Sequence, residues 1–157
     1  MKRILTCTVL FLCALCATAC GKTVEVSDTA SDIMISNCDE VSFAVKYCDP
    51  EAVTYTVCSS KKDFLFYEGH EFALIQKYVD GNWYSLVQQP QVSTGDFIWC
   101  SIPTEEQLGT ISITNSYGGK LEAGTYRLVA SCSRSAIPPE DSTLGETIYL
   151  AVEFTIS

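Results

Sequence analysis

The chain is poor in the residues that carry chemistry. Among its 157 residues there is one histidine, His70, and ten Lys and Arg stand against nineteen Asp and Glu. With a single imidazole, any Ser-His-Asp or Cys-His site would have to use His70 as its base. That residue lies in a turn flanked by Glu68 and Glu71, where a solvated loop side chain is the plain reading. The few, scattered basic residues argue against nucleic acid as a partner, because phosphate contacts need clustered Lys and Arg. The gaps among Cys38, Cys48, Cys58, Cys100 and Cys132 never approach the C-x₂₋₄-C spacing of zinc sites. The acids Asp63, Glu68 and Glu71 lack the D-x-[DN]-x-[DN]-G pattern of a calcium loop, and Gly118-Gly119 is not followed by the Lys-Ser/Thr of a phosphate loop. No particular pair of carboxylates stands out for glycoside hydrolysis. Neither a catalytic set, a metal nor a cofactor is expected.

Two further features are missing past the first twenty residues. No stretch there is long and apolar enough for the roughly 20-residue helix that crosses a bilayer core. No segment carries a sustained i, i+3, i+4, i+7 apolar stripe either, so helices are expected to be a turn or two at most, near Thr104 to Leu108.

What is present begins with an address. Lys2 and Arg3 open the chain, Ile4 to about Ala17 is apolar apart from Thr6 and Thr8, and Ala17-Thr18-Ala19 stands directly before Cys20. These are the three parts of a secretory signal peptide, expected over residues 1–19. The junction resembles a bacterial lipobox, in which the cysteine thiol receives a diacylglyceryl group and the peptide is cut before it. It departs from that pattern in having Ala17 where leucine is more usual. Ordinary cleavage after Ala19 would cut the same bond and give simple secretion. The lipidated reading makes Cys20 the first mature residue and puts the protein on the extracellular side of the cell membrane. Two or more acyl chains, at about 0.8 kcal/mol per buried methylene, hold far more firmly than a single myristoyl group.

Loss of Lys2 and Arg3 with the leader takes the net charge from −9 to −11. This acidity reads as solubility, and it disfavours docking of the protein surface on anionic lipid, so membrane association is assigned to the acyl chains. About 138 residues remain, one domain's worth. Six cysteines survive cleavage: Cys20, Cys38, Cys48, Cys58, Cys100 and Cys132. A lipid on Cys20 leaves five thiols and at most two bridges, whose connectivity the sequence leaves open.

Residues 20–37 are rich in Ser, Thr, Asp and Gly and are expected to be a lipidated cysteine and a flexible tether. From residue 38 to 157 the periodicity is two. Val41, Phe43, Val45 and Tyr47 alternate with Ser42, Ala44 and Lys46, and Asp49-Pro50 ends that strand. Val53-Tyr55-Val57 follows, then Phe64 to Tyr67, then Phe72, Leu74 and Tyr78 on one face. Asp80-Gly81, between Tyr78-Val79 and Trp83-Tyr84, is a strong hairpin signal because both central residues tolerate positive φ. Phe97 to Ile102 and Ile111 to Ile113 read as strands, and Gly118-Gly119 as a turn. Leu121, Tyr126, Leu128 and Ala130 alternate with Glu122, Thr125, Arg127 and Ser131. In the last strand Ile148, Leu150, Val152, Phe154 and Ile156 face one way. Seven to nine short strands between turn residues predict an all-β, immunoglobulin-like antiparallel sandwich. Leu121-Glu122-Ala123-Gly124-Thr125-Tyr126 has the L-x-x-G-x-Y form of a tyrosine corner.

Tyr67 to Leu74, Asp80 to Tyr84, Leu121 to Val129 and Val152 to Ile156, in that order, resemble the bacterial immunoglobulin-like domains carried by many secreted proteins and lipoproteins of Gram-positive bacteria. The resemblance covers roughly Val41 to Ile156. It implies a surface or periplasm-facing module and carries a fold rather than an active site. The loops around Gln88 to Asp96 and Ala136 to Gly145 depart from the pattern, as do the cysteines.

Recognition is the remaining chemistry. Trp83, Tyr84, Trp99 and Tyr117 lie near turns or strand ends, where exposed aromatics stack on sugars or anchor partners, although Trp83 after a hairpin turn also reads as packed on the sandwich. The long loop Ser133 to Gly145, with Pro138-Pro139, is a candidate contact surface. The expected function is a non-enzymatic, lipid-anchored display domain that contacts a surface protein or glycan. The alternatives are a secreted proteinase inhibitor, since an intracellular bacterial inhibitor family is similar in its sandwich, and a carbohydrate-binding module using Trp83 or Trp99.

Overall fold

A computed structural model describes residues 21–61, 64–68, 73–90, 98–134 and 147–157. The leader and Cys20 lie outside the described residues, and so do Asp63, His70, Glu71 and most of the Ser133–Gly145 loop. Ten strands and one short helix follow in order: β1 Val26–Ala30, β2 Val41–Cys48, β3 Ala52–Ser59, β4 Phe64–Glu68, β5 Ala73–Val79, β6 Asn82–Leu86, β7 Ile98–Ser101, β8 Gln107–Ser112, α1 Ile113–Tyr117, β9 Gly124–Arg134 and β10 Thr147–Ile156.

All strand pairs are antiparallel. A small sheet runs β2-β3-β8, and a large one runs β1-β6-β5-β9 with β10 on the far side of β9. Strands β4 and β5 both pair with the same edge of β9, β4 at Ser133 and Arg134 and β5 from Tyr126 to Ala130, so they share one column. Strand β7 pairs with β4 as β6 pairs with β5 and shares the next column. The ten described segments therefore fill eight strand positions, within the seven to nine expected, and the all-β sandwich of two antiparallel sheets stands.

The core follows from alternation. Val53 and Val57 of β3 face Ile75 of β5, Tyr126, Leu128 and Ala130 of β9, and Leu150, Phe154 and Ile156 of β10, all below a tenth exposed. The Asp80-Gly81 hairpin forms as read: Val79 pairs with Asn82, and φ is 48° at Asp80 and 89° at Gly81, a type I′ turn whose twist matches its strands. The tyrosine corner forms too. Tyr126 Oη donates to the Glu122 carbonyl at 2.9 Å, and the ring stacks on Phe154 with centroids 5.6 Å apart.

Several expectations are corrected. Residues 21–37 are not a flexible tether. Thr23 bridges Lys120, Val26–Ala30 pairs with β6, and Val24 and Val26 pack on the core. Beyond β1, Ser31 N donates to the Trp83 carbonyl at 2.7 Å. At the opposite edge, Ser36 and Asn37 donate to the Tyr149 carbonyl and Asn37 Oδ1 accepts from Ala151 N. Residues 31–37 thus form a strap across the outer face of the large sheet, with Ile33 and Ile35 half-buried. The folded body includes residues 22–37 as well as those from residue 38 on, because these backbone groups find partners on the sheets.

In β2 the pairing slips by one residue between Val45 and Tyr47, a bulge at Lys46. The slip turns Tyr47 outward to 59% exposure and brings Cys48 against the core in its place. In β5 the interior face is Ala73 and Ile75, not the expected Leu74 and Tyr78, and Tyr78 is exposed. The helix is not near Thr104 to Leu108 but at Ile113–Tyr117, capped by Ser112 Oγ and closed by Gly118 at φ 72°. The Gly118-Gly119 turn is that helix end. Tyr117, expected near the surface, is 2% exposed and accepts the Ile75 N–H at 3.0 Å.

Tyr126→Phe is expected to cost about 1–2 kcal/mol, since it removes one hydrogen bond and strands the Glu122 carbonyl. Urea denaturation checks this: the midpoint should fall with the slope unchanged, and an unaltered midpoint would show the corner to be decorative.

Candidate functional site

The outer face of the large sheet holds a polar cluster that neighbouring strands bring into line. Gln76 of β5 lies between Ser85 of β6 and Arg127 of β9. Gln76 is fully buried and is satisfied on every side: its Nε2 donates to Ser31 Oγ at 2.6 Å and to Ser85 Oγ at 3.1 Å, and its Oε1 accepts from Arg127 Nε at 2.6 Å. The Arg127 guanidinium lies 4.5 Å from the Trp83 ring centroid, and Tyr78 packs on Trp83 at 5.0 Å. Burial lowers the Arg127 pKa from its ordinary value, and the Glu153 carboxylate opposite on β10 works the other way. This arrangement is structural: each polar atom of Gln76 is spent on holding the strap and β9 to the sheet. Trp83, offered from sequence as packed or sugar-stacking, is half-buried in this cluster.

A charged cluster marks one end of the sandwich. Glu40 binds Lys61 Nζ at 2.7 Å and also Arg134 Nη2. The Lys61 hydrogen bond, more than the charge of Arg134, holds the Glu40 carboxyl below its usual range against the opposing effect of burial. From this end β9 leaves at Arg134 and β10 returns at Thr147. A shallow groove lined by Asp32, Ile33, Met34, Ser36, Thr147 and Tyr149 runs between the strap and β10, and Met34 is 85% exposed.

At the other end the chain enters. Lys120 N donates to the Lys22 carbonyl at 2.9 Å and Val24 N to the Lys120 carbonyl at 3.2 Å, while Lys120 Nζ pairs with Glu51. Leu121 N donates to the Pro50 carbonyl, so this seam adjoins the β2–β3 turn. Asp49 builds that turn, its carboxylate accepting from Glu51 N and Ala52 N and from the Tyr47 hydroxyl. The two backbone donors and the hydroxyl lower its pKa.

Cys38, Cys48, Cys58 and Cys132 carry unbridged thiols. Burial, and secondarily the nearby Cys38, pushes the Cys132 thiol up to about 12. Such a thiol is inert, because the thiolate is the reactive form. Among the described residues no group of three or more His, Cys, Asp and Glu is placed to hold a metal ion, and no helix is long and apolar enough to cross a membrane.

The sequence-proposed recognition residues do not converge. Tyr117 is in the core, Tyr84 is half-buried on β6, and Trp99 lies on β7. The candidate loop starts later than expected, since Ser133 and Arg134 belong to β9 and Ser133 is 3% exposed. Sequence reading missed the Gln76–Arg127 cluster. Arg127 sits in an alternating strand where a polar residue reads as solvated, and the signal that both faces are covered comes only from the strap.

Comparison with family models, with curated proteins and with solved structures finds no match to this chain.

Two measurements check the electrostatics. A carboxyl whose folded pKa is depressed stabilises above its unfolded value and loses that contribution as pH falls through the folded one. Stability should therefore decline as pH drops below about 4, and Glu40→Gln should flatten the decline in melts taken across an acid series. An unchanged acid slope in the variant would rule out the cluster as its source. In native protein at mildly alkaline pH, iodoacetamide should leave Cys132 unmodified while urea-unfolded protein reacts fully. Equal labelling of Cys132 in both states, read by peptide mass, would contradict its burial.

Proposed function

We propose that this protein is a non-enzymatic, lipid-anchored surface domain of the bacterial immunoglobulin-like kind, held on the extracellular side of the cell membrane through Cys20 and displaying its sandwich for contacts with a surface protein or glycan. The observation that carries this reading is the junction Ala17-Thr18-Ala19-Cys20, which is followed almost at once by a folded, acidic β-sandwich. A thiol placed at a leader's cleavage point has one evident chemical use, acylation.

The inventory of side chains supports a display role over catalysis. Glu40, Asp49, Gln76, Tyr117, Tyr126 and Arg127 are each engaged in bonds that hold strands or turns together. The raised pKa values of Tyr55, Tyr117 and Tyr126 have burial as their first cause, as in an ordinary core, rather than an opposing acid–base partner. A rigid sandwich with committed polar groups suits contact through its loops and ends.

Metabolic labelling with a fatty acid is the direct test. Wild type should take up label and fractionate with membranes, while Cys20→Ala should lose both properties. Unlabelled wild type, under conditions that label a known lipoprotein, would overturn the anchor.

A further inference from the structure

Lipoproteins are commonly thought of as swinging on a polar leash, and the composition of residues 20–37 fits one, but the fold uses those residues otherwise. Resting on the reading that Cys20 carries the lipid, we infer that the anchored sandwich sits directly on the lipid headgroups through the end that bears Lys22 and Lys120, and presents the Glu40–Lys61–Arg134 end outward.

The argument is one of chain length. Lys22 is already bound to the body: its carbonyl accepts from Lys120 N at 2.9 Å, and Thr23 and Val24 continue the pairing along Lys120. Gly21 alone separates Cys20 from this seam, and one residue spans at most about 3.6 Å. The seam is also tight. A Cβ on Gly119 would stand 2.5 Å from the Lys22 carbonyl oxygen and 2.7 Å from the Thr23 carbonyl carbon, so the segment lies on bare backbone. Gly21 itself adjoins the Lys120 stem. With the acyl chains in the hydrocarbon, Cys20 lies at headgroup depth, and residues 22, 119 and 120 follow within a few residues' reach.

Orientation follows from the strands. Lys120 precedes β9 by a few residues and Leu121 bonds Pro50 of the β2–β3 turn, so the anchor end is the end where β9 begins. Strand β9 has 11 residues, about 36 Å at 3.3 Å each, and ends at Arg134 beside Glu40 and Lys61. Arg134 and Thr147, the described residues nearest the sequence's candidate contact loop, therefore lie at the outward end. Lys22 and Lys120 are exposed beside the anchor, but Lys120 is paired with Glu51 and the acids Asp49 and Glu122 lie at the same end, so the seating rests on chain length rather than on charge.

The test footprints lysines on the full-length lipoprotein reconstituted into vesicles of mixed zwitterionic and anionic phospholipid, with a membrane-impermeant N-hydroxysuccinimide ester as probe and the secreted Cys20→Ala protein as reference. Anchoring should reduce modification of Lys22 and Lys120 several-fold and leave Lys46 and Lys61 unchanged. Inserting a flexible Gly/Ser spacer of about ten residues between Cys20 and Gly21 should restore reactivity at Lys22 and Lys120 without loss of lipid. The mass of the N-terminal peptide separates the two ideas. An acylated Cys20 with Lys22 and Lys120 as reactive as in the secreted form overturns the seating alone, and an unacylated Cys20 overturns the anchor reading itself.

Discussion

Strand β9 is buried on both faces and paired on both edges, and the rest of the molecule is arranged to make that tolerable. Tyr126, Arg127, Leu128, Val129 and Ala130 are each no more than 9% exposed. On one edge β10 pairs with it over ten successive residues, and on the other β5 and β4 divide its length. From Tyr126 to Ala130 the strand is enclosed on both edges, so there each N–H and C=O must be met by a neighbour. The small sheet covers the inner face with Val53 and Val57. The outer face needs a second cover, and the N-terminal strap supplies it.

That second cover explains why polar groups can be buried on the outer face. An unpaired buried amide or guanidinium costs several kcal/mol, whereas a paired one is close to neutral. Gln76 and Arg127 are buried together with Ser31 and Ser85 as partners, and no buried side-chain nitrogen or oxygen among the described residues lacks a partner. Ser31 belongs to the strap, so strap and strand satisfy each other. The gain is in register as much as in energy. A shift of the strap by one residue would remove Ser31 Oγ from Gln76 and leave the amide unpaired.

How far the sequence foretold this depends on whether one face of an element meets water. Strand β10 has a wet side, so Ile148 to Ile156 were legible from alternation alone. The Asp80-Gly81 turn and the L-x-x-G-x-Y corner were legible because each needs particular residues for local reasons. In β5 alternation could not say which set faces the core, because Ala73 and Ile75 meet the small sheet while Leu74 and Gln76 lie under the strap. Strand β1 at the sheet edge and the strap across its outer face are rich in Ser, Thr and Asp with only isolated apolar residues, a composition that tethers share. The five-residue helix is too short to show a period, and its Ile113 read as the end of a strand. Cys20, the one residue to which the sequence assigns a single role, lies outside the described residues. Polar chemistry in this fold goes into holding strands, and such groups are scattered along the chain with no motif.

The N-terminal stretch touches the sheets along its whole described length. Residues 22–24 are bonded to Lys120, residues 26–30 to β6, Ser31 to Gln76 and Trp83, and Ser36 and Asn37 to β10. The stretch from Lys22 to Asn37 is therefore held at the Lys120 seam, along β6 and at β10, where a flexible tether of the same composition would make no such contacts. The same N-terminal stretch goes on, through residues 31–37, to close the outer face of the large sheet. Peeling it away would uncover Gln76 and Arg127 without Ser31, at the cost of a buried polar pair losing its partner. The first described residues are thus part of what completes the fold, and their contacts fix where the chain leaves the sandwich at Lys22.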